Sequence, residues 1–389
     1  SKINYKAWEM PSTPVEKIEV FRFASFREGK QTSALYTASY FVDAQIKSRY
    51  SMPVISVVTN PENLVREDSG LYVPGYHFNP EDPQWTGNYF QRGRLWEKPV
   101  HIAYFSPDGT REFCQEAGMR IHGQMTRHAA QKTLMFYARE AYGQDAFNDP
   151  LLPGRINDLY KRFLMRSSMG AWQGNTVICD LLATEVARGL NMETQEYRPV
   201  ILYLNGEYWG IQTIRDRIDE HYLAYVSGLD KDSVDLINGN YGIVDAGSNE
   251  SYIELATYIQ ENDLSVDAHY RYVAGLVDLE SLIDYMITEI FFSNRDWPGN
   301  NQKCWRSRSP EGKWRWIFFD LDAGFGKSNM DMLKQFTLNT EDLSWKTSSV
   351  GTYLLSQLLK HPEFEKKFTD RFKELLKTQF NPARTTTIL

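Results

Sequence analysis

The chain has 389 residues, of which 42% are hydrophobic and 24% charged, and its formal net charge is −7. This composition is typical of a globular protein with one large or two medium domains. The negative charge and the lack of a Lys/Arg-rich run argue against a surface for nucleic acid or anionic membranes. No apolar run approaches the roughly 18 residues that a membrane span needs, so we expect no nucleic-acid partner and no span.

The cysteines give little guidance on chemistry. Cys114, Cys179 and Cys304 are the only three, and they lack CxxC spacing. An odd count without that spacing indicates neither a zinc site nor a complete disulfide framework, and at most one bridge could form. The redox compartment therefore stays open.

Alternation with period two predicts strands throughout the first part of the chain. Short alternating runs mark residues 1–50 as a small N-terminal β segment, which could be the remnant of a preceding domain. A loop rich in Pro, Gly, Asp and Asn is predicted at 60–93. Four further strands are predicted, at 53–58, 100–105, 118–121 and 132–138. Lys132 stands at the start of the last one.

A helix is predicted next, at 176–190, because its apolar residues recur at helical spacing. Two strands at 197–204 and 208–214 follow it, and the Asn-Gly pair between them is a strong signal for a hairpin turn. A further helix is predicted directly afterwards, at 216–225. This region therefore combines one hairpin with a helix on either side.

The strongest helix signal in the chain lies at 279–292, where apolar residues follow the i, i+3, i+4 rhythm over three turns. Asp278 is the expected N-cap. The helix runs into a polar loop, 294–301, with the sequence Asn-Arg-Asp-Trp-Pro-Gly-Asn-Asn. Two strands are predicted after this loop, at 303–308 and 313–320, and helices fill the remainder to about residue 379.

Three polar positions in this region have the spacing of a kinase catalytic site. Asp296 lies in the loop, Asn301 follows five residues later, and Asp320 opens a glycine-terminated turn 24 residues beyond Asp296. The order of elements is also that of a protein kinase, from a strand with a lysine to the Asp-rich turn. Phosphoryl transfer depends on positioned Mg²⁺ and a base, and Mg²⁺ prefers carboxylate and amide oxygens.

Four stretches within about 53–380 resemble the CotH kinase family, relatives of the spore-coat kinase CotH that occur widely in secreted bacterial proteins. These stretches are 119–123 with 131–132, 205–210 with 216–219, 294–301, and 319–326. The resemblance implies an α+β, protein-kinase-like two-lobed fold. We expect a β-rich N-lobe at 51–216 and a helical C-lobe at 217–389.

The resemblance also implies ATP and Mg²⁺ as cofactors and assigns roles to individual positions. Lys132 would hold the nucleotide phosphates, and Asp296 would orient the acceptor hydroxyl and take its proton. Asn301 and Asp320 would bind the metal. Asp322 would share the metal or stabilise the turn.

Further ATP-binding positions are expected at Glu185 and Asp216. Glu185 could pair with Lys132 as kinases require, although Asp180 is available for the same role. The chain departs from the family at Asp216, where many relatives have Glu. It also departs at 122–125, where they have Arg-Gly-x-Ser.

The sequence thus predicts an ATP-dependent kinase acting on Ser or Thr of a secreted or envelope protein in bacteria, with a signal peptide that these residues do not include. Two other classes stay open. The departures from the family motivate a catalytically inactive kinase-fold scaffold or adhesion module. A metal-dependent hydrolase is also possible, in which Asp296, Asp320 and Asp322 hold a cation that activates water.

Overall fold

The computed structural model describes residues 12–43, 45–147, 151–153, 160–167, 178–239, 242–325, 331–338 and 350–388. The protein is mixed α+β and divides into two compact units. The barrel unit comprises the described residues within 1–170 and 196–217, and the helical unit those within 171–195 and 218–389. The expected domain boundaries and the two-lobed kinase-like layout stay predictions.

Strands and helices are numbered along the chain. The strands are β1 (Glu19–Phe23), β2 (Phe26–Arg27), β3 (Lys30–Gln31), β4 (Tyr36–Tyr40), β5 (Val54–Val58), β6 (Lys98–Phe105), β7 (Arg111–Ile121), β8 (Leu134–Tyr137), β9 (Arg162–Ser167), β10 (Glu193–Thr194), β11 (Tyr197–Leu204), β12 (Glu207–Arg215), β13 (Val234–Asn238), β14 (Ile243–Ala246), β15 (Lys303–Ser307) and β16 (Arg315–Phe318). The helices are α1 (Ile46–Arg49), α2 (Glu62–Val65), α3 (Cys179–Ala187), α4 (Glu220–Ser227), α5 (Glu250–Glu261), α6 (Asp267–Leu276), α7 (Leu279–Phe291), α8 (Met332–Leu338), α9 (Val350–Leu358), α10 (Pro362–Lys377) and α11 (Pro382–Ile388).

A closed seven-stranded barrel forms the centre of the first unit, in the order β11, β12, β9, β8, β7, β6, β5. All neighbours are antiparallel except β11 and β5, which are parallel. Alternate residues of β5, Ile55 and Val57, pack into the barrel core. Its outer face is also buried. There Ser56 lies against β4, and its hydroxyl oxygen is hydrogen-bonded to that of Ser39 at 2.8 Å. The N-terminal segment therefore packs on the barrel.

The second unit combines helices with a five-stranded sheet in the order β10, β16, β15, β13, β14. Two strands of this sheet, β15 and β16, match strands predicted from the sequence, whereas β10, β13 and β14 were not predicted. Helix α7 lies at the centre of the core, and every residue from Ser281 to Ile290 is buried. In the part of the chain that the structure describes, no helix is both long and apolar enough to cross a membrane.

Element boundaries follow local capping. Helix α7 begins as predicted, because the Asp278 carboxylate accepts a hydrogen bond from the Ser281 backbone N–H at 3.1 Å. Helix α4 begins later than predicted, at Glu220, since the Asp219 side chain caps it. Strand β8 begins at Leu134, so Lys132 precedes the strand instead of lying in it. The first two residues of the helix expected at 176–190, 176 and 177, lie outside the described residues.

Candidate active site

The polar loop at 294–301 is held against α7 by two buried side chains that lie one turn apart on that helix. Glu289 accepts a hydrogen bond through Oε2 from Nδ2 of Asn294 at 2.9 Å. Tyr285 accepts one through its hydroxyl oxygen from Nε1 of Trp297 at 2.7 Å. Residues i and i+4 share a helix face, so one face of α7 anchors the start of the loop.

Inside the loop, three asparagines bond to Asp296. The two carboxylate oxygens accept hydrogen bonds from Nδ2 of Asn300 at 3.1 Å and from Nδ2 of Asn301 at 3.2 Å. The Asp296 backbone N–H donates to Oδ1 of Asn294 at 3.2 Å. Asn301 Nδ2 also lies 3.4 Å from the backbone oxygen of Asp320. The structure therefore brings together the three positions that the spacing singled out.

Left-handed backbone is concentrated in the same place. Asn301 has φ of 56° and Asp320 has φ of 63°, a region that Asn and Asp tolerate better than most residues. Ser293 and Phe325, which flank the two segments, have φ of 53° and 55°. Sparsely populated backbone conformations often cluster at functional sites. Gly326, which the sequence placed at the end of the Asp-rich turn, lies outside the described residues.

The turn that follows Asp320 is tied to distant parts of the second unit. The Leu321 backbone N–H donates to Oδ1 of Asp180 in α3 at 2.9 Å. The Ala323 carbonyl oxygen accepts from the backbone N–H of Arg295 at 3.2 Å and from its Nε at 3.3 Å. Asp180, considered above as a partner for Lys132, thus supports the Asp320 turn in this unit.

The donor set fits a magnesium ion of the kinase type. Both hydrogen bonds of the Asn301 side chain use Nδ2, which leaves Oδ1 as a possible metal ligand. The carboxylates of Asp320 and Asp322 are half-buried, and such hard oxygens suit Mg²⁺. Within the described ranges, no group of three or more His, Cys, Asp or Glu side chains could hold a metal. A kinase metal needs fewer protein ligands, because nucleotide phosphates complete its shell.

Glu289 is a fully buried carboxyl group beside this site. Burial raises its pKa well above the ordinary value, and the nearby charges of Asp320 and Asp180 raise it further. The hydrogen bond from Asn294 acts in the opposite direction but does not outweigh burial. The surroundings of Glu289 therefore disfavour its charged form.

Lys132 lies in the barrel unit and is almost completely buried. Its Nζ donates hydrogen bonds to the carbonyl oxygens of Arg127 at 2.7 Å and Ala129 at 2.9 Å. The ammonium also lies 4.1 Å from the ring centre of Tyr89 and 5.5 Å from that of Tyr72. Burial, and secondarily the charge of Arg127, lowers the pKa of Lys132 to about 7.

The two remaining predicted nucleotide contacts have local partners. Asp216 is buried directly after β12, and its Oδ2 accepts a hydrogen bond from the Glu196 backbone N–H at 3.2 Å. The Glu185 carboxylate in α3 accepts from Nε of Arg188, with both N–O distances 3.1 Å. Pairing of Glu185 with Lys132 stays a prediction.

A known family covers the part of the chain that contains the site residues described above. A family model described as CotH kinase protein matches residues 119–389, which is more than half of the chain. The chain belongs to this family. No curated protein matches it. The resemblance expected from four motifs is thereby confirmed, and the CotH match includes Lys132 together with both segments of the site.

Sequence reasoning missed the buried supports of this CotH-family site. Glu289 and Tyr285 belong to no motif described above, and Trp297 was given no role beyond its place in the loop sequence. One signal was available: position 289 shares a face of α7 with the apolar residues Leu282 and Tyr285, seven and four positions earlier, so the pattern favours burial of a glutamate there. A buried carboxyl needs a polar partner, and Asn294 five residues later could supply one.

Proposed function

We propose that this CotH-family chain is an ATP- and Mg²⁺-dependent protein kinase that phosphorylates a Ser or Thr hydroxyl of a secreted or envelope protein. Family membership supports kinase chemistry. The single observation that carries the proposal is the Asn301 side chain, whose Nδ2 contacts both the Asp296 carboxylate and the Asp320 backbone. That contact gathers a base and two metal ligands in one half-buried place.

In the proposed reaction the acceptor hydroxyl oxygen forms a bond to the γ-phosphorus of ATP. The bond from that phosphorus to the oxygen bridging to the β-phosphate breaks, and its electron pair leaves with ADP. Asp296 takes the hydroxyl proton. Hydrogen bonds from Asn300 and Asn301 to both oxygens hold this carboxylate in a fixed orientation.

The metal would be held by Oδ1 of Asn301 and the carboxylate of Asp320, with Asp322 as a further proposed ligand. Bound there, Mg²⁺ would neutralise charge on the transferring phosphate. The left-handed conformation of Asn301 and Asp320 sets the direction of both side chains.

Lys132 is proposed to contact the nucleotide phosphates, with Glu185 and Asp216 as further ATP-binding residues. The lowered pKa of Lys132 has a consequence for this role. An anionic phosphate near the amine favours its protonated form. Binding of ATP near pH 7 should therefore take up a proton at Lys132.

Transfer of label from ATP tests the kinase. The wild-type chain is incubated with radiolabelled ATP, Mg²⁺ and dephosphorylated casein, beside Asp296→Asn, Asp320→Ala and the control Asp370→Asn. Asp370 is an exposed carboxylate on α10, paired with Lys366. We expect label with wild type and the control, and a loss of about 10²-fold or more in the two site variants. Equal labelling by all four would reject the proposal.

Ligand-induced stabilisation separates the kinase from the alternatives. ATP with Mg²⁺ that binds only the native state raises its stability by about 2.7 kcal/mol at a concentration 100 times Kd. We expect a higher melting temperature with wild type and a smaller rise with Asp320→Ala. No rise at millimolar nucleotide would favour the scaffold, and release of phosphate or sugar without nucleotide would favour the hydrolase.

A further inference from the structure

In the described part of the chain, no hydrogen bond joins the Glu289 side chain to a residue assigned above to ATP or metal, yet it is linked to Asp296 through one intermediate side chain. Oε2 of Glu289 accepts from Nδ2 of Asn294, and Oδ1 of Asn294 accepts the Asp296 backbone N–H. The two bonds use opposite ends of the same amide group. The orientation of that amide therefore depends on Glu289.

We propose that Glu289 is a positioning residue for catalysis, which acts through Asn294 to hold Asp296 in the orientation that accepts the hydroxyl proton. This inference rests on the proposed kinase function. The hydrogen-bond geometry that supports it does not depend on that function. Glu289, Asn294 and Asp296 and both hydrogen bonds between them lie within the helical unit.

The burial of the pair explains why the contact is strong. Glu289 and Asn294 both have no exposed surface. Without an acceptor, the Asn294 amide would leave a donor buried and unsatisfied, at a cost of about 1 to 3 kcal/mol. Rotation of the amide would relieve that cost only by placing Nδ2 against the Asp296 N–H, where two donors would meet. Glu289 thus satisfies the Asn294 amide in the one orientation that also accepts the Asp296 N–H.

Stability alone does not account for a glutamate at this place. Its Oε1 has no hydrogen-bond partner among the described residues. Burial of a partly satisfied carboxyl costs more than burial of an apolar side chain of similar size. The loop already has a second anchor in the bond from Trp297 to Tyr285. A residue that is unfavourable for packing, and whose side chain hydrogen-bonds within the described residues only to the side chain that orients Asp296, fits a positioning role.

Steady-state transfer kinetics test the role with Glu289→Ala, Glu289→Gln and Thr288→Val as the matched control. Thr288 is equally buried in α7, and its hydroxyl bonds only the Asp284 carbonyl of the same helix. We expect Glu289→Ala to lower kcat by about 10²-fold while KM for ATP changes less than about twofold. Glu289→Gln keeps an oxygen acceptor for Asn294 and should restore kcat to near the wild-type value.

Hydrogen exchange tests the positioning without any transfer reaction. The backbone amide of Asp296 should exchange faster in Glu289→Ala, and stay near the wild-type rate in Glu289→Gln and Thr288→Val. Unchanged exchange in the alanine variant, or a kcat equal to that of wild type, would overturn the inference. A wild-type chain that transfers no phosphate would reject the kinase proposal, and exchange would still decide whether Glu289 orders the loop.

Discussion

Two fully buried glutamates, one in each unit, have opposite surroundings. Glu97 in the barrel unit accepts two hydrogen bonds from Arg139 at 2.9 Å and one from the Tyr142 hydroxyl at 3.1 Å. It also forms an ion pair with Arg94, and Nε of Arg120 lies 3.5 Å away. Among the described residues of the helical unit, the Glu289 side chain has a single hydrogen bond, from Asn294, and its charged neighbours are carboxylates.

The pKa of the same side chain is therefore shifted in opposite directions at the two places. Burial on its own raises the pKa of Glu97, but the hydrogen bonds and charge of Arg139, with the charge of Arg94, outweigh it and leave the pKa lowered. For Glu289, no cation among the described residues opposes burial and the pKa is raised. A buried carboxyl with cations is favoured as a charge that organises arginines, whereas burial without them disfavours the charged form.

The largest expected effect is at Glu97. Glu97→Gln removes the negative charge that three arginines share, and we expect the free energy of unfolding to fall by about 3 kcal/mol at pH 7. Urea unfolding measures the change, with the exposed Glu112→Gln on β7 as the control. A loss as small as that of the control would show that solvent, and not Glu97, balances the arginines.

Lys132 extends the comparison, because it is a buried cation with no carboxylate partner among the described residues of its own unit. Below about pH 7 it is protonated in both states. Between about pH 7 and the unfolded value near 10.5, the unfolded chain binds the extra proton, so stability rises with pH. We expect a rise of about 2 kcal/mol between pH 7 and 9 from this group.

Urea unfolding of wild type and Lys132→Met across that range isolates the lysine. The methionine variant should lack this part of the rise, whatever its stability at one pH. Parallel curves for the two proteins would mean that the Lys132 pKa is not lowered by burial.

The smallest change in the free energy of unfolding is expected for Glu289→Gln. The pH dependence of that change distinguishes Glu289 from Glu97 most clearly. Above the unfolded pKa near 4.3, the unfolded chain loses a proton that folded Glu289 keeps, so this group lowers stability as pH rises. At pH 5 the variant should differ from wild type by less than about 1 kcal/mol. At pH 8 its stability relative to wild type should be higher than at pH 5, in contrast to Glu97→Gln. A stability of Glu289→Gln relative to wild type that stays constant or falls from pH 5 to pH 8 would show that the pKa of Glu289 is not raised.

Local signals predicted the elements that carry the site. The Asn-Gly turn joined β11 and β12 as expected, and Asp278 capped α7 at the predicted position. The spacing of Asp296, Asn301 and Asp320 singled out three positions that lie together in the structure. The predicted start of α4 at residue 216 was wrong, because the Asp219 side chain caps the helix, which begins at Glu220.

The sequence by itself determined helix α7, the turn between β11 and β12 and the family, because capping, periodicity and motif spacing act between residues close along the chain. Only the tertiary structure decided the closed barrel and the direction of the pKa shifts of the buried groups. The Glu97 carboxylate is hydrogen-bonded to Arg139, 42 residues later in the chain, and the Asp180 carboxylate to the Leu321 backbone N–H, 141 residues later. A pKa depends on burial and on neighbouring charges, and distant segments supply both only after the chain has folded.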